Sequence, residues 1–237
     1  MTAPPGPTRP RLLLVAHGTR SATGRRVLGR ILLETRKQLP GVDCRLAWVD
    51  VQEPGPEKVL SDGAPTVVVP AFLARGFHVV HDVGRACREA PGPVVQTPHL
   101  GPEPEVVRAL VQRLAEAGAV GAFGADAVVL GAAGSSDASS LAETRALADR
   151  LADLLRTPVT AAFASAASPK VDEAVSLLRG EGHRRIAVAT HLLAPGFFAD
   201  RMAAAGADIT SEPLGAHPEI VDLIIRRYRE NSDPLTH

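Results

Sequence analysis

The chain has 237 residues, 45% apolar and 22% charged, which is globular usage and excludes a disordered, collagen-like or coiled-coil chain. Lys+Arg and Asp+Glu each number 26, so the formal net charge is zero, and aromatics are only 3%. Neither a general basic field nor a set of base-stacking aromatics is available, so nucleic acid is not expected as a partner.

Two cysteines, Cys44 and Cys87, make no CxxC and are too few for a disulfide framework or a thiolate zinc site. Met1 to Pro10 is Pro-rich without the apolar run of a secretory leader. No stretch nears the ~18 consecutive apolar residues of a membrane span. The expectation is a cytoplasmic protein with no membrane partner.

Arg11–Ala16 (RLLLVA) reads as a short buried strand and runs into His17-Gly18-Thr19-Arg20. Leu spacing predicts a helix over Val27–Leu39, a strand over Cys44–Val51, and a Pro-started helix from Pro54 to Leu60. Thr66–Pro70 (TVVVP) is a third strand, followed by the loop Leu73–His78 entering a helix. A short strand and a helix after Leu100-Gly101-Pro102 close the half. Ala115–Ala125 is Gly- and Ala-rich and marks the boundary.

The pattern then repeats. Ala127–Ala132 (AVVLGA) is a strand leading into Ala133-Gly134-Ser135-Ser136, and Leu141–Leu155 is a helix. Val159–Ser165, Pro169–Val175 and Ile186–Thr190 answer the second strand, second helix and third strand. Leu193-Ala194-Pro195-Gly196-Phe197-Phe198 answers Leu73–His78, and Leu214–Val221 answers Leu100–Val107. Apolar runs alternating with helical patterns mean βαβ units and parallel strands buried on both faces. The expected fold is α/β, with two tandem similar lobes (10–118 and 126–230), each a parallel sheet flanked by helices, and a cleft between them.

Ligands of open α/β sheets bind beyond the carboxyl ends of the strands. Three residues of the first half fall there: His17, Asp50 and His78. Their counterparts are Ala133, Ser165 and Phe198. One copy therefore carries two imidazoles and a carboxylate that the other lacks, a donor set that suits a first-row divalent metal. Each residue taken singly also fits a capping or hydrogen-bonding role. Asp82 is the i+4 neighbour of His78; holding that imidazole in one tautomer and favouring the helix N-terminus are equally open roles. His81 is assigned to the surface or rim, and His99, His183, His191 and His217 to structural or surface positions. Of these, His191 follows a third-strand end and is the one nearest to a functional position.

Leu14-Val15-Ala16-His17-Gly18-Thr19-Arg20, Ala47-Trp48-Val49-Asp50 with Glu53-Pro54, and Val69-Pro70-Ala71-Phe72-Leu73 with Gly76-Phe77-His78-Val79-Val80-His81-Asp82-Val83 together resemble the sirohydrochlorin chelatase family. These are the small cobalt- and iron-inserting chelatases of cobalamin and siroheme synthesis. Leu193–Phe198 is similar to the two-domain members. The resemblance implies a lyase that exchanges two pyrrole protons of sirohydrochlorin, or a related tetrapyrrole, for Fe2+ or Co2+. The metal is then a substrate, with no tightly bound cofactor. The absence of a His-rich storage tract leans the expectation to iron. The family's metal-binding His pair carries over onto His17 and His78, which also serve as candidate bases. Its carboxylate carries over onto Asp50 as the third metal ligand, where the family usually has Glu; with the shorter acid, direct ligation and a water-bridged contact are both open. Arg20 and Arg75 are the candidate partners of substrate carboxylates. Gly18 and Gly76 are expected to leave room for a flat ligand, Phe198 to form an apolar wall, and Phe197 to sit in the inter-lobe core. Two-domain members build the cleft within one chain, so a monomer is expected.

The alternative is a non-catalytic metal or tetrapyrrole carrier, which binds stoichiometrically. A histidine phosphatase would carry Arg before His17-Gly18, where this chain has Ala16. A periplasmic-type binding protein fits poorly with the short single linker.

Overall fold

The computed structural model describes residues 9–76, 78–121 and 124–235, without the side chains of residues 78 and 234. The first half contains β1 (Arg11–Ala16), α1 (Ala22–Gln38), β2 (Cys44–Trp48), α2 (Pro56–Leu60) and β3 (Thr66–Pro70). A π-helical turn (His78–Val83) then runs into α3 (Gly84–Glu89), followed by β4 (Val94–Gln96) and α4 (Pro104–Glu116). The second half contains β5 (Ala127–Ala132), α5 (Ala138–Leu155), β6 (Val159–Phe163), α6 (Val171–Gly180) and β7 (Ile186–His191). It ends with α7 (Phe197–Ala203), β8 (Ile209–Thr210), α8 (Pro218–Ser232) and a 3-10 turn (Asp233–Leu235).

The strands form two parallel sheets of identical order, β2-β1-β3-β4 and β6-β5-β7-β8. Leu14 lies between Leu46 and Val69, and Leu130 between Ala161 and Ala189. All residues of β1, β3, β5 and β7 are buried, which is why these strands read as unbroken apolar runs.

Both long helices start earlier than the Leu spacing predicts, because caps extend them. Ser21 Oγ accepts the Gly24 N–H at 3.1 Å, and an Asp137 carboxylate oxygen accepts the Ser139 N–H at 2.8 Å. Strand β2 stops at Trp48, short of the expected Val51. The Gln52 N–H donates to the Asp50 carbonyl at 2.8 Å around Val51, whose φ is +67°. This is a γ-turn in the left-handed region, costly for a β-branched residue. The second half repeats it at Ser165–Ala167, with Ala166 at φ +54° and an N–H···O distance of 2.6 Å.

The halves exchange their last helices. Helix α8 packs on β3, α1 and α4, whereas α4 packs on β7 and α5. Leu14 and Val69 of one sheet, Leu130 and Ala189 of the other, Leu110 of α4 and Ile224 of α8 belong to one continuous buried cluster. Separate apolar clusters cover the outer faces of the two sheets, one with α2 and α3, the other with α6 and α7. Tyr228 donates to the Pro10 carbonyl at 2.8 Å, Arg226 donates to Glu103 (2.8 Å) and Glu105 (3.0 Å), and Arg227 donates to Glu103. Helix α8 continues to Ser232, and Asn231 Nδ2 donates back to the Arg227 carbonyl at 2.9 Å. Relative motion is the default for two lobes unless their interface is large and hydrophobic, and here they share a core. Among the described residues no helix is long and apolar enough to cross a membrane.

Candidate functional site

In the order 2-1-3-4 the connections leave β1 and β3 on diverging paths, opening a crevice at their carboxyl ends. Strands β5 and β7 do the same in the other lobe. The two crevices share one cavity of about 860 Å³. Lobe one contributes His17, Gly18, Arg20 and Gly76; lobe two contributes Ser135, His191, Phe197 and Phe198.

His17 Nδ1 lies 2.9 Å from the Gly18 carbonyl. A carbonyl only accepts, so Nδ1 is the donor in this contact. The Nδ1–H tautomer suits metal ligation through Nε2.

The loop bearing His17 is clamped to the turn after β2. Thr19 N–H donates to Gln52 Oε1 at 2.7 Å, and Gln52 Nε2 donates to the Thr19 carbonyl at 2.6 Å. Gln52 was missed from sequence, where an isolated Gln beside a turn carries no signal. A Cβ on Gly18 would stand 1.7 Å from the Asp50 carbonyl oxygen. Gly18 thus lines the cavity, but its missing side chain serves the close approach of two loops rather than room for a ligand. Gly76 differs: nothing lies within 4 Å of a Cβ built there.

Arg20 is exposed at the cavity rim, and its loop is held by Arg25, which donates to the carbonyls of Thr19 (3.2 Å) and Arg20 (3.1 Å). Arg75 is exposed but does not line the cavity. Its backbone N–H donates to Glu143 Oε2 at 2.8 Å, and the same oxygen lies 3.1 Å from His99 Nε2. Glu143 sits on α5, so a lobe-two carboxylate anchors the lobe-one loop that leads to His78. Burial pushes the His99 pKa down, against the upward pull of Glu143. The Glu143 carboxylate only accepts, so His99 donates from Nε2. Sequence gave no sign of Glu143, one carboxylate among several on an amphipathic helix.

His78 opens the π-helical turn; its side chain and all of Phe77 lie outside the described residues. Such turns are rare and recur at functional sites. Asp50 and Asp82 line a different, smaller cavity of about 400 Å³, with Glu53, Glu57 and Arg85. Val51 lines both cavities and forms the wall between them. The Asp50 carboxylate turns back and accepts the Val51 N–H at 2.7 Å. The structure therefore groups His17, Arg20, Gly76 and Phe198, and sets Asp50, Asp82 and Arg75 outside that cavity. Among the described residues no three His, Cys, Asp or Glu side chains gather as a metal site.

Phe197 was expected in the inter-lobe core and is 69% exposed. The exchanged helices fill that core, which leaves Phe197 at the cleft mouth. Its ring meets Phe198 edge-on at 5.6 Å, and the Arg201 guanidinium lies 5.8 Å from its centre. His217 is structural as expected: its Nδ1 accepts the Glu219 N–H at 3.2 Å and caps α8. His191 is buried, and burial pushes its pKa down to about 4.

A sequence model of the CbiX family matches residues 11–117 and again residues 127–231. The chain belongs to the CbiX family. Among solved structures, SirB from Bacillus subtilis with Fe3+ superposes with a TM-score of 0.75 at 23% identity, covering 94% of this chain and 95% of that one. The sirohydrochlorin chelatase SirB from Bacillus subtilis subspecies spizizenii in complex with cobalt gives 0.75 at 21%, with coverage of 94% and 95%. CbiX, described as the terminal enzyme for biosynthesis of siroheme in denitrifying bacteria, gives 0.68 at 17%, with coverage of 93% and 99%. At these identities the likeness establishes the fold: two tandem chelatase-like lobes. No curated protein matches the chain in sequence.

Proposed function

We propose that this CbiX-family chain is a sirohydrochlorin chelatase, a lyase that inserts Fe2+ or Co2+ into a tetrapyrrole in the cytoplasm and acts as a monomer. The observation that carries the reading is one cavity, built by both CbiX repeats, into which the first repeat brings the imidazole of His17. Its volume of about 860 Å³ lies within the usual range for small-molecule sites. The solved relatives named SirB hold iron in one case and cobalt in another, in keeping with either metal as substrate.

In this reading His17 and His78 hold the incoming metal. With Nδ1 bonded to the Gly18 carbonyl, Nε2 is the His17 nitrogen that serves as metal ligand. Arg20, at the rim of the cavity, meets substrate carboxylates, and Phe198 packs on the macrocycle with Gly76 leaving space beside it. The metal displaces two pyrrole protons, and an imidazole that has released the metal accepts one of them. Asp82 holds His78 in place.

The test is an anaerobic absorbance assay with sirohydrochlorin and Fe2+ or Co2+. Multiple turnovers that vanish in a His17→Ala/His78→Ala double variant support the chelatase. A single stoichiometric binding event without turnover identifies a carrier instead.

A further inference from the structure

Among the described residues four buried side-chain nitrogens meet no hydrogen-bond partner: Arg113 Nε, Arg227 Nε, His217 Nε2 and His191 Nε2. The two guanidinium groups are bonded through other nitrogens, Arg113 to the Leu214 carbonyl and Arg227 to Glu103. His217 uses its other nitrogen as the α8 cap. His191 differs from all three. No polar bond to either ring nitrogen is present among the described residues, and the ring lines the inter-lobe cavity.

Its place in the repeat sharpens the point. His191 ends β7 and pairs with Ala132 at the end of β5. The equivalent position in lobe one is Ala71, also buried. Lobe two thus has Ala133, Ser165 and Phe198 where lobe one has His17, Asp50 and His78, yet gains an imidazole where lobe one has only a methyl group. Burying an unpaired imidazole nitrogen costs stability that an aliphatic side chain would not. The adjoining cavity is where a partner can arrive. Rotation about Cβ–Cγ, a broad torsion for imidazole, exchanges the nitrogen and carbon edges of the ring.

We propose that His191 is the proton acceptor that lobe two presents to a macrocycle whose metal is delivered from lobe one. The proposal rests on the chelatase reading. A pyrrole N–H bond breaks, and its electron pair stays on the ring nitrogen and forms the bond to the metal. The proton passes to the His191 lone pair, and the imidazolium releases it to water. The second pyrrole proton goes to the imidazole that surrendered the metal. One divalent cation enters and two protons leave, so charge balances. Burial disfavours the imidazolium, so the ring is neutral before the step and gives the proton up to water promptly after it.

The experiment compares the parent protein with His191→Leu and His191→Asn by melting temperature, metal-free tetrapyrrole affinity and steady-state insertion rate. His191→Leu is expected to melt no lower than the parent and to bind the tetrapyrrole. Its insertion kcat is expected to fall by about 100-fold, a typical general-base contribution. His191→Asn, which hydrogen-bonds but takes no proton, is expected to share the loss. A parent-like rate in either variant overturns the proposal. So does a lowered melting temperature of His191→Leu that accompanies its loss of rate, since that makes His191 a packing residue. A parent protein that inserts no metal overturns the chelatase reading with it; an active parent beside equally active variants overturns this proposal alone.

Discussion

Gly18 and Asp50 approach so closely that a Cβ on the glycine would stand 1.7 Å from the Asp50 carbonyl oxygen, and Gly134 and Ser165 repeat the contact at 2.0 Å. Both lobes therefore weld the loop after their first strand to the turn after their second. In lobe one that weld positions His17.

Gly18→Ala must push the two loops apart. The backbone oxygen has no flexible side chain to give way, so the loss should be about 3 kcal/mol of stability, at the upper end for overpacking. Chemical denaturation measures it, and insertion activity should fall with the displaced His17. Gly76→Ala is the control: with open space around its Cβ, it should fold like the parent. Equal stability of both variants would refute the weld.

Glu143→Ala should leave the Arg75 N–H and the His99 ring donor without their acceptor. The expected cost is about 1–2 kcal/mol, because both donors are partly hydrated once released. Amide hydrogen exchange at Arg75 should accelerate, and KM for the tetrapyrrole should rise more than kcat falls. Unchanged exchange at Arg75 would show that the loop is held by other contacts.

His191 sets a pH dependence of stability. Its folded pKa, about 4, lies below the ordinary 6.5, so between these values the unfolded chain binds a proton that the native chain excludes. Stability should be undiminished by this group above pH 6.5 and should fall as pH drops toward 4. The loss from this one residue is about 3 kcal/mol. Urea denaturation of the parent and His191→Leu at pH 7 and pH 4.5 isolates it as the difference between their slopes. Parallel pH profiles would mean that His191 is not held neutral.

Phe197→Ser removes an exposed ring, so folding stability should stay within about 0.5 kcal/mol of the parent. If the ring packs on the substrate at the cleft mouth, tetrapyrrole affinity should weaken by roughly fivefold, the worth of about 1 kcal/mol of aromatic contact. Absorbance titration without metal reads the affinity directly. An unaltered affinity would leave the exposed pair Phe197 and Phe198 without a role at the cleft.

Much of this architecture is legible in the sequence. Buried parallel strands must be apolar on both faces, so RLLLVA, TVVVP, AVVLGA and IAVAT announce themselves, and their recurrence announces two copies of one lobe. The step from strand to loop places His17 at a carboxyl end. These are local patterns, set by the periodicity of a strand or a helix. Leu spacing alone placed both helix starts too late, because the caps Ser21 and Asp137 set them.

Only the tertiary structure decided which helix covers which sheet. Helices α4 and α8 are both amphipathic, and an apolar stripe does not say which lobe it will meet. Their exchange filled the inter-lobe core and left Phe197 in solvent. Long-range pairing likewise joined Glu143 to Arg75 and Gln52 to Thr19, while the turn at Val51 aimed Asp50 into a different cavity from His17. The burial of His191 followed from the same packing. Periodicity fixes the face of an element but not the neighbour that face will find, because that choice depends on burying apolar surface across the whole chain at once.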